Sequence, residues 1–209
     1  MKVSEIYSDV FQITLGKVNV FLVKGHRGMY LIDTGAPGQE QDLEKGIAEA
    51  GSSILSIKKV FITNMHIDHV GNLRFLQDKS GAKAYASTED TQLSGQTADT
   101  DKYTPGTIES ELLGGEIIEG AEGLQVIATQ DNTQLHLSYI WPEHGGVLFT
   151  PDAANSLFGI SPSPVFEDTE TGEKALQTIS EHQFETACFS HGKPVIGKAS
   201  EKFRKKWGK

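Results

Sequence analysis

Short β-rich runs interleaved with helical stretches predict an α/β layered domain. Three observations carry this expectation. Apolar runs rich in Val, Ile, Leu and Phe recur from Val10 to Phe189. Between them lie stretches with apolar residues at helical spacing, such as Leu43, Ile47 and Ala50. The composition is that of a globular chain, with 37% apolar residues, 22 Gly and only 7 Pro. At 209 residues the chain reads as one domain over 1–209, two at most, by the usual span of roughly 100–200 residues per domain.

The first third is strand-rich. Val10 to Leu15 and Val18 to Lys24 read as strands, Gly25-His26-Arg27-Gly28 as a turn, and Met29 to Asp33 as the return. Pro37-Gly38 breaks the chain, and a helix follows over 39–50, closed by Gly51. Lys58 to Thr63 is a short apolar strand. Val70 to Lys79 reads as one helix ended by Gly81, and Lys83 to Ala86 as another strand. Residues 88–110 are rich in Thr, Asp, Ser and Gly and read as a long loop or lid. Strand signals return over 116–119, 124–129, 135–141 and 147–150, with His144-Gly145-Gly146 as a turn. Ser161-Pro162-Ser163-Pro164 is irregular. A helix over 171–184, a strand over 187–190 and a last helix over 197–207 complete the chain.

Charge and hydropathy exclude several functions. Nineteen Lys and Arg against 28 Asp and Glu give a net charge of −9. Nucleic-acid binding depends on cations neutralising phosphates, and this balance argues against it. The basic tail Lys202 to Trp207 reads as the polar face and charged C-terminus of a helix. No apolar run reaches the roughly 20 residues that span a bilayer. No signal peptide is visible and Cys188 is the single cysteine, so a reducing, cytoplasmic setting is expected. In the apolar run Ala187-Cys188-Phe189 that thiol reads as a small buried hydrophobe.

The segment that carries chemistry is Thr63-Asn64-Met65-His66-Ile67-Asp68-His69. It follows an apolar strand and precedes a helix. Two imidazoles and a carboxylate packed this closely at a strand end can converge on one cation, and that ligand set suits zinc, iron or manganese. The plain alternative is helix capping by Asp68.

This segment resembles the Thr-His-x-His-x-Asp-His signature of the metallo-β-lactamase-fold, glyoxalase II-like hydrolases. Leu31-Ile32-Asp33-Thr34-Gly35 resembles that family's first motif. Residues 129–136 resemble its Thr-Pro-Gly-His-Thr-Pro-Gly-His segment, Leu148-Phe149-Thr150-Pro151-Asp152 its Leu-Phe-Thr-Gly-Asp, and Ser190-His191-Gly192 its last His-Gly. The resemblance runs in order from about Val10 to Trp207 and implies a four-layer αββα sandwich. It also implies two metal sites: one at the positions of Asn64, His66 and Asn132, the other at Asp68, His69 and His191, bridged by Asp152. Asparagine stands at two of the three first-site histidine positions. A neutral amide oxygen favours hard cations and is a poor exchange for imidazole on zinc. The second site is complete, so the expectation is one metal per chain, zinc first, manganese or iron otherwise. Pro151 also replaces a glycine beside Asp152, and Gln130-Asp131 the usual Pro-Gly.

The implied roles follow. Asp68, His69, Asp152 and His191 hold the metal. His66, released from a first metal, orients water or acts as general base. Asn64 and Asn132 donate amide hydrogens to substrate, and Asp33 supports the ligand loop. His136 lies near the site without ligating, while His26, His144 and His182 are surface or half-buried. The expected activity is hydrolysis of an ester-like bond in a small-molecule substrate: a thioester, a lactone or a related acyl compound. The loops over 88–110 and 155–168 would meet that substrate. The alternative is a non-catalytic relative that binds a ligand, metal or partner without turnover. Neither a nucleic acid nor a membrane is an expected partner, and a homodimer is compatible with the sequence.

Overall fold

The computed structural model describes the chain except residues 88–105, 131–134, 151, 163–168 and 209. The described residues form two compact units, Met1–Leu112 and Leu113–Lys209.

The first unit is built on a seven-stranded sheet in sequential order: β1 (Lys2–Tyr7), β2 (Val10–Leu15), β3 (Val18–Gly25), β4 (Gly28–Ile32), β5 (Ile57–Phe61), β6 (Lys83–Ser87) and β7 (Ser110–Leu112). Strands β1 to β4 pair antiparallel through tight turns, and β4 to β7 pair parallel. Parallel neighbours need a crossover, and helices supply it between β4 and β5 and between β5 and β6. Helix α1 (Glu40–Glu49) buries Leu43 and Ile47, and α3 (Leu73–Ser80) buries Leu73 and Leu76. These side chains share one core with Phe11, Ile13 and Leu15, which alternate along β2 with Gln12 and Thr14.

Two features differ from the sequence expectation. Edge strand β1 escapes it because KVSEIY shows no clean alternation and is only partly buried. The helix expected over 70–79 is broken into α2 (Ile67–Val70) and α3 at Gly71-Asn72. Asn72 leaves the helical conformation because its side chain is turned inward: Nδ2 donates to the Thr34 carbonyl at 2.6 Å. Gly71 sits so close to Pro37 that a Cβ there would collide with the proline ring.

The second unit has a six-stranded sheet. Its order is β15 (Val195–Ile196), β14 (Thr186–Phe189), β11 (Val147–Thr150), β10 (Leu135–Trp141), β9 (Leu124–Gln130) and β8 (Ile117–Ile118). Among the described residues of this sheet only β11 and β14 run parallel, with Thr150 opposite Phe189. A small hairpin pairs β12 (Ala154–Asn155) with β13 (Ser161–Pro162). Helices α4 (Thr169–Ser180) and α5 (Ala199–Trp207) pack together and bury Leu176, Ile179, Phe203 and Trp207 against Phe184 and Phe189 of the second core. The loop expected over 88–110 falls outside the described residues as far as 105, as does the part of 155–168 beyond Pro162. No helix among the described residues is long and apolar enough to cross a membrane.

Two lone titratable groups have structural settings. Cys188 on β14 is fully buried and burial pushes its thiol pKa up, which keeps it inert. His182, just beyond α4, is half-buried. Burial lowers its pKa below 6.5, and the Glu181 carboxylate opposes this in part. The unfolded chain therefore takes up the proton first as pH falls through 6.5, and the native state loses stability there. Thermal melts between about pH 7.5 and 5.5 are expected to fall less steeply in His182→Gln than in the parent.

Candidate metal centre

In the first unit, parallel register brings the functional loops together. Ile32 pairs with Phe61, so the residues that follow β4 and β5 leave the sheet side by side. Carboxyl ends of parallel strands are where such sheets collect their functional groups. Asp33 follows β4 in a left-handed conformation, with φ of 61°, which is strained for a residue with a Cβ. Its carboxylate repays that strain locally. Oδ1 accepts from the Thr63 amide at 2.9 Å, and Oδ2 accepts from the Thr63 hydroxyl at 2.7 Å. Oδ2 also lies 2.7 Å from His69 Nδ1, where a carboxylate can only accept. His69 therefore carries its proton on Nδ1, which leaves Nε2 as the nitrogen able to ligate a metal. Both residues are buried, at 1% and 0% exposure.

Asp68 lies in the first turn of α2, and its Oδ1 is 3.8 Å from His69 Nε2. It does not cap that helix; the N-cap position belongs to His66. His66 is partly exposed, with its ring centroid 6.2 Å from that of His69. Asn64 is fully buried, and its Oδ1 accepts from the His66 amide at 2.9 Å. The asparagine thus shapes the turn that presents His66.

In the second unit, Asp152 follows β11 and His191 follows β14, so the parallel pair delivers both. His191 Nε2 lies 3.3 Å from Asp152 Oδ1; Asp152 is buried, while the His191 side chain is about a quarter exposed. The Ser190 amide donates to the Thr150 carbonyl at 3.2 Å and ties the two loop starts together. His136 lies on β10, wholly buried. Asn132, Asp131 and Pro151 lie outside the described residues.

Among the described residues, the side chains able to ligate a metal are thus His66, Asp68 and His69 in the first unit and Asp152 and His191 in the second. Imidazole nitrogens with carboxylate oxygens, one imidazole fixed by a buried carboxylate, form a donor set that fits a transition metal or zinc.

The model of the metallo-beta-lactamase superfamily matches residues 13–191. The chain belongs to this superfamily. Its members are generally metal-dependent hydrolases, and they commonly bind zinc. Metallo-beta-lactamase domain-containing protein 1 of Xenopus laevis is 28% identical over 180 residues, covering 84% of this chain and 70% of that protein. Two solved structures show the fold. A HARLDQ-motif mutant of a Cronobacter sakazakii metallo-β-lactamase aligns with a TM-score of 0.75 at 16% identity, over 91% of this chain and 80% of the other. The subclass B3 metallo-β-lactamase BJP-1 of Bradyrhizobium japonicum gives 0.71 at 18% identity, over 91% and 78%. The α/β metallo-β-lactamase fold expected from the sequence is therefore the observed class. Asp33 acts within it as the residue that sets the His69 tautomer, a role the spacing of the sequence does not reveal.

Proposed function

We propose that this protein hydrolyses an ester-like bond of a small molecule, a thioester, a lactone or a related acyl compound, using one zinc ion held by Asp68, His69, Asp152 and His191. The observation that carries this reading is the contrast between the two ligand sets. His69 is held in its ligating tautomer by Asp33, whereas the Asn64 amide oxygen is engaged by the His66 backbone. The effort of the fold goes into the second site. A metal there would polarise the acyl carbonyl and lower the pKa of water toward about 7.

The chain's own residues do the rest. Asp33 fixes the His69 ring. His66 accepts the proton of the attacking water and returns it to the leaving group. Water oxygen joins the acyl carbon, the C–O or C–S bond breaks, and an acid and an alcohol or thiol leave. Asn64 supports His66 by holding its backbone amide.

Elemental analysis tests this reading, on protein purified without added metal and again after zinc or manganese soaking. About one metal per chain, lost in Asp68→Ala and in His191→Ala, is the expected result. Two metals per chain would overturn the single-site reading. No metal after soaking would leave a binding protein without turnover.

A further inference from the structure

Asp33 and Thr34 are consecutive, and each holds a different end of His69. Asp33 meets the ring at Nδ1. Thr34 meets the main chain: its amide donates to the His69 carbonyl at 2.7 Å, and its hydroxyl donates to the same oxygen at 2.9 Å. The broken helix makes this second hold available. In an uninterrupted helix the His69 carbonyl would accept from the amide of Leu73, four residues on. The break at Gly71-Asn72 turns it to Thr34 instead. Asn72 then closes the arrangement. Its amide donates to the Thr34 hydroxyl at 3.3 Å, and its Nδ2 donates to the Thr34 carbonyl at 2.6 Å. The threonine hydroxyl thus accepts from Asn72 and donates to His69. Thr34 is wholly buried and Asn72 is 1% exposed. Asn72 Oδ1 is buried as well and meets no donor among the described residues, a costly placement for an acceptor. What this side chain contributes is its donor, and that donor goes to Thr34.

We propose that Thr34 is a positioning residue for the metal, clamping the main chain of His69 while Asp33 fixes its ring, with Asn72 holding the clamp shut. The inference rests on the reading of His69 as a ligand. The two holds have different consequences. Asp33 decides which ring nitrogen carries the proton. That contact alone lets the ring travel with its backbone. Pinning the His69 carbonyl removes this movement, so Nε2 keeps one position before a cation arrives, and binding need not order the ligand.

The test uses the full chain, with Thr34→Val, Thr34→Ser and Asn72→Ala, and with Ile47→Val as a buried substitution on α1 in the same core. Valine keeps the shape of threonine and lacks the hydroxyl; serine keeps the hydroxyl. Zinc affinity is read by chelator competition on protein shown to be folded by circular dichroism, and the His69 ring proton by NMR. Thr34→Val is expected to weaken zinc binding about tenfold, with the His69 proton still on Nδ1. Thr34→Ser is expected to bind zinc as the parent does, and Ile47→Val likewise. Should Thr34→Val not fold, Asn72→Ala carries the same expectation. Parent-like affinity in the folded Thr34→Val, an equal loss in Thr34→Ser, or an equal loss in Ile47→Val would overturn the proposal. If the parent binds no zinc, the ligand reading fails and the metal-free protein decides on the clamp. Exchange of the His69 Nδ1 proton with water that is faster in Thr34→Val than in Thr34→Ser keeps the clamp on His69; equal exchange removes it.

Discussion

Exchange of Asp33 for asparagine is expected to weaken metal binding about 10–100-fold while the fold survives. The substitution keeps shape, and the amide oxygen can still accept from the Thr63 backbone. The second atom of the group changes from acceptor to donor. It then faces His69 Nδ1, which the carboxylate holds at 2.7 Å. Two donors cannot share that contact, so the imidazole is driven to the tautomer with its proton on Nε2, the nitrogen needed for metal. The same logic explains large losses when an aspartate behind a histidine in serine proteases is made asparagine. Asp33→Ala removes the group outright. It leaves the Thr63 hydroxyl and amide and the His69 Nδ1–H without their acceptor in a buried setting, at about 1–3 kcal/mol for a buried donor left unsatisfied. Zinc titration with a competing chelator, together with denaturant melts, separates the two variants. Equal metal affinity in Asp33→Asn and the parent would refute the tautomer argument.

On the proposed single-site reading, Asp152→Asn is expected to have the larger effect on metal, exceeding that of Asp33→Asn by about tenfold or more, because it would exchange a ligand and not a ligand's support. Asp152 is 3% exposed and lies 3.3 Å from His191 Nε2. Removing its charge costs the site an anionic donor, while the neutral amide still fits the space. Metal content by elemental analysis, with circular dichroism as the control for folding, reads the outcome. If Asp33→Asn loses more metal than Asp152→Asn, the metal does not use Asp152.

The site was legible where chemistry and local pattern coincide. His66, Asp68 and His69 are crowded into four residues after an apolar strand, and in the structure they lie at the start of α2, beyond β5. Asp152 and His191 came from resemblance, since nothing in their own segments marks a ligand; the register of β11 and β14 makes them neighbours. The tautomer-setting contact of Asp33 joins residues from different loops and has no local sequence signal. Asn64 reads in the sequence as a first-site position turned amide donor to substrate; in the structure its Oδ1 accepts from the His66 amide, a contact with no local sequence signal. The helix break at Asn72 is tertiary: its amide prefers the Thr34 carbonyl to helical continuity.

The parallel pairing of β11 with β14 also bears on the order of events in folding. The two strands are separated in sequence by the β12–β13 hairpin and α4, and pairing across such a stretch is non-local and slow. Asp152 and His191 meet only once that pairing exists, just as Asp33 and His69 meet only after β4 and β5 have joined through α1. On the single-site reading, a metal would find its complete ligand set only after these pairings exist. Such a metal would act on the other side of the barrier and prolong the lifetime of molecules already folded, so chelation is expected to shorten that lifetime and leave the speed of refolding nearly unchanged.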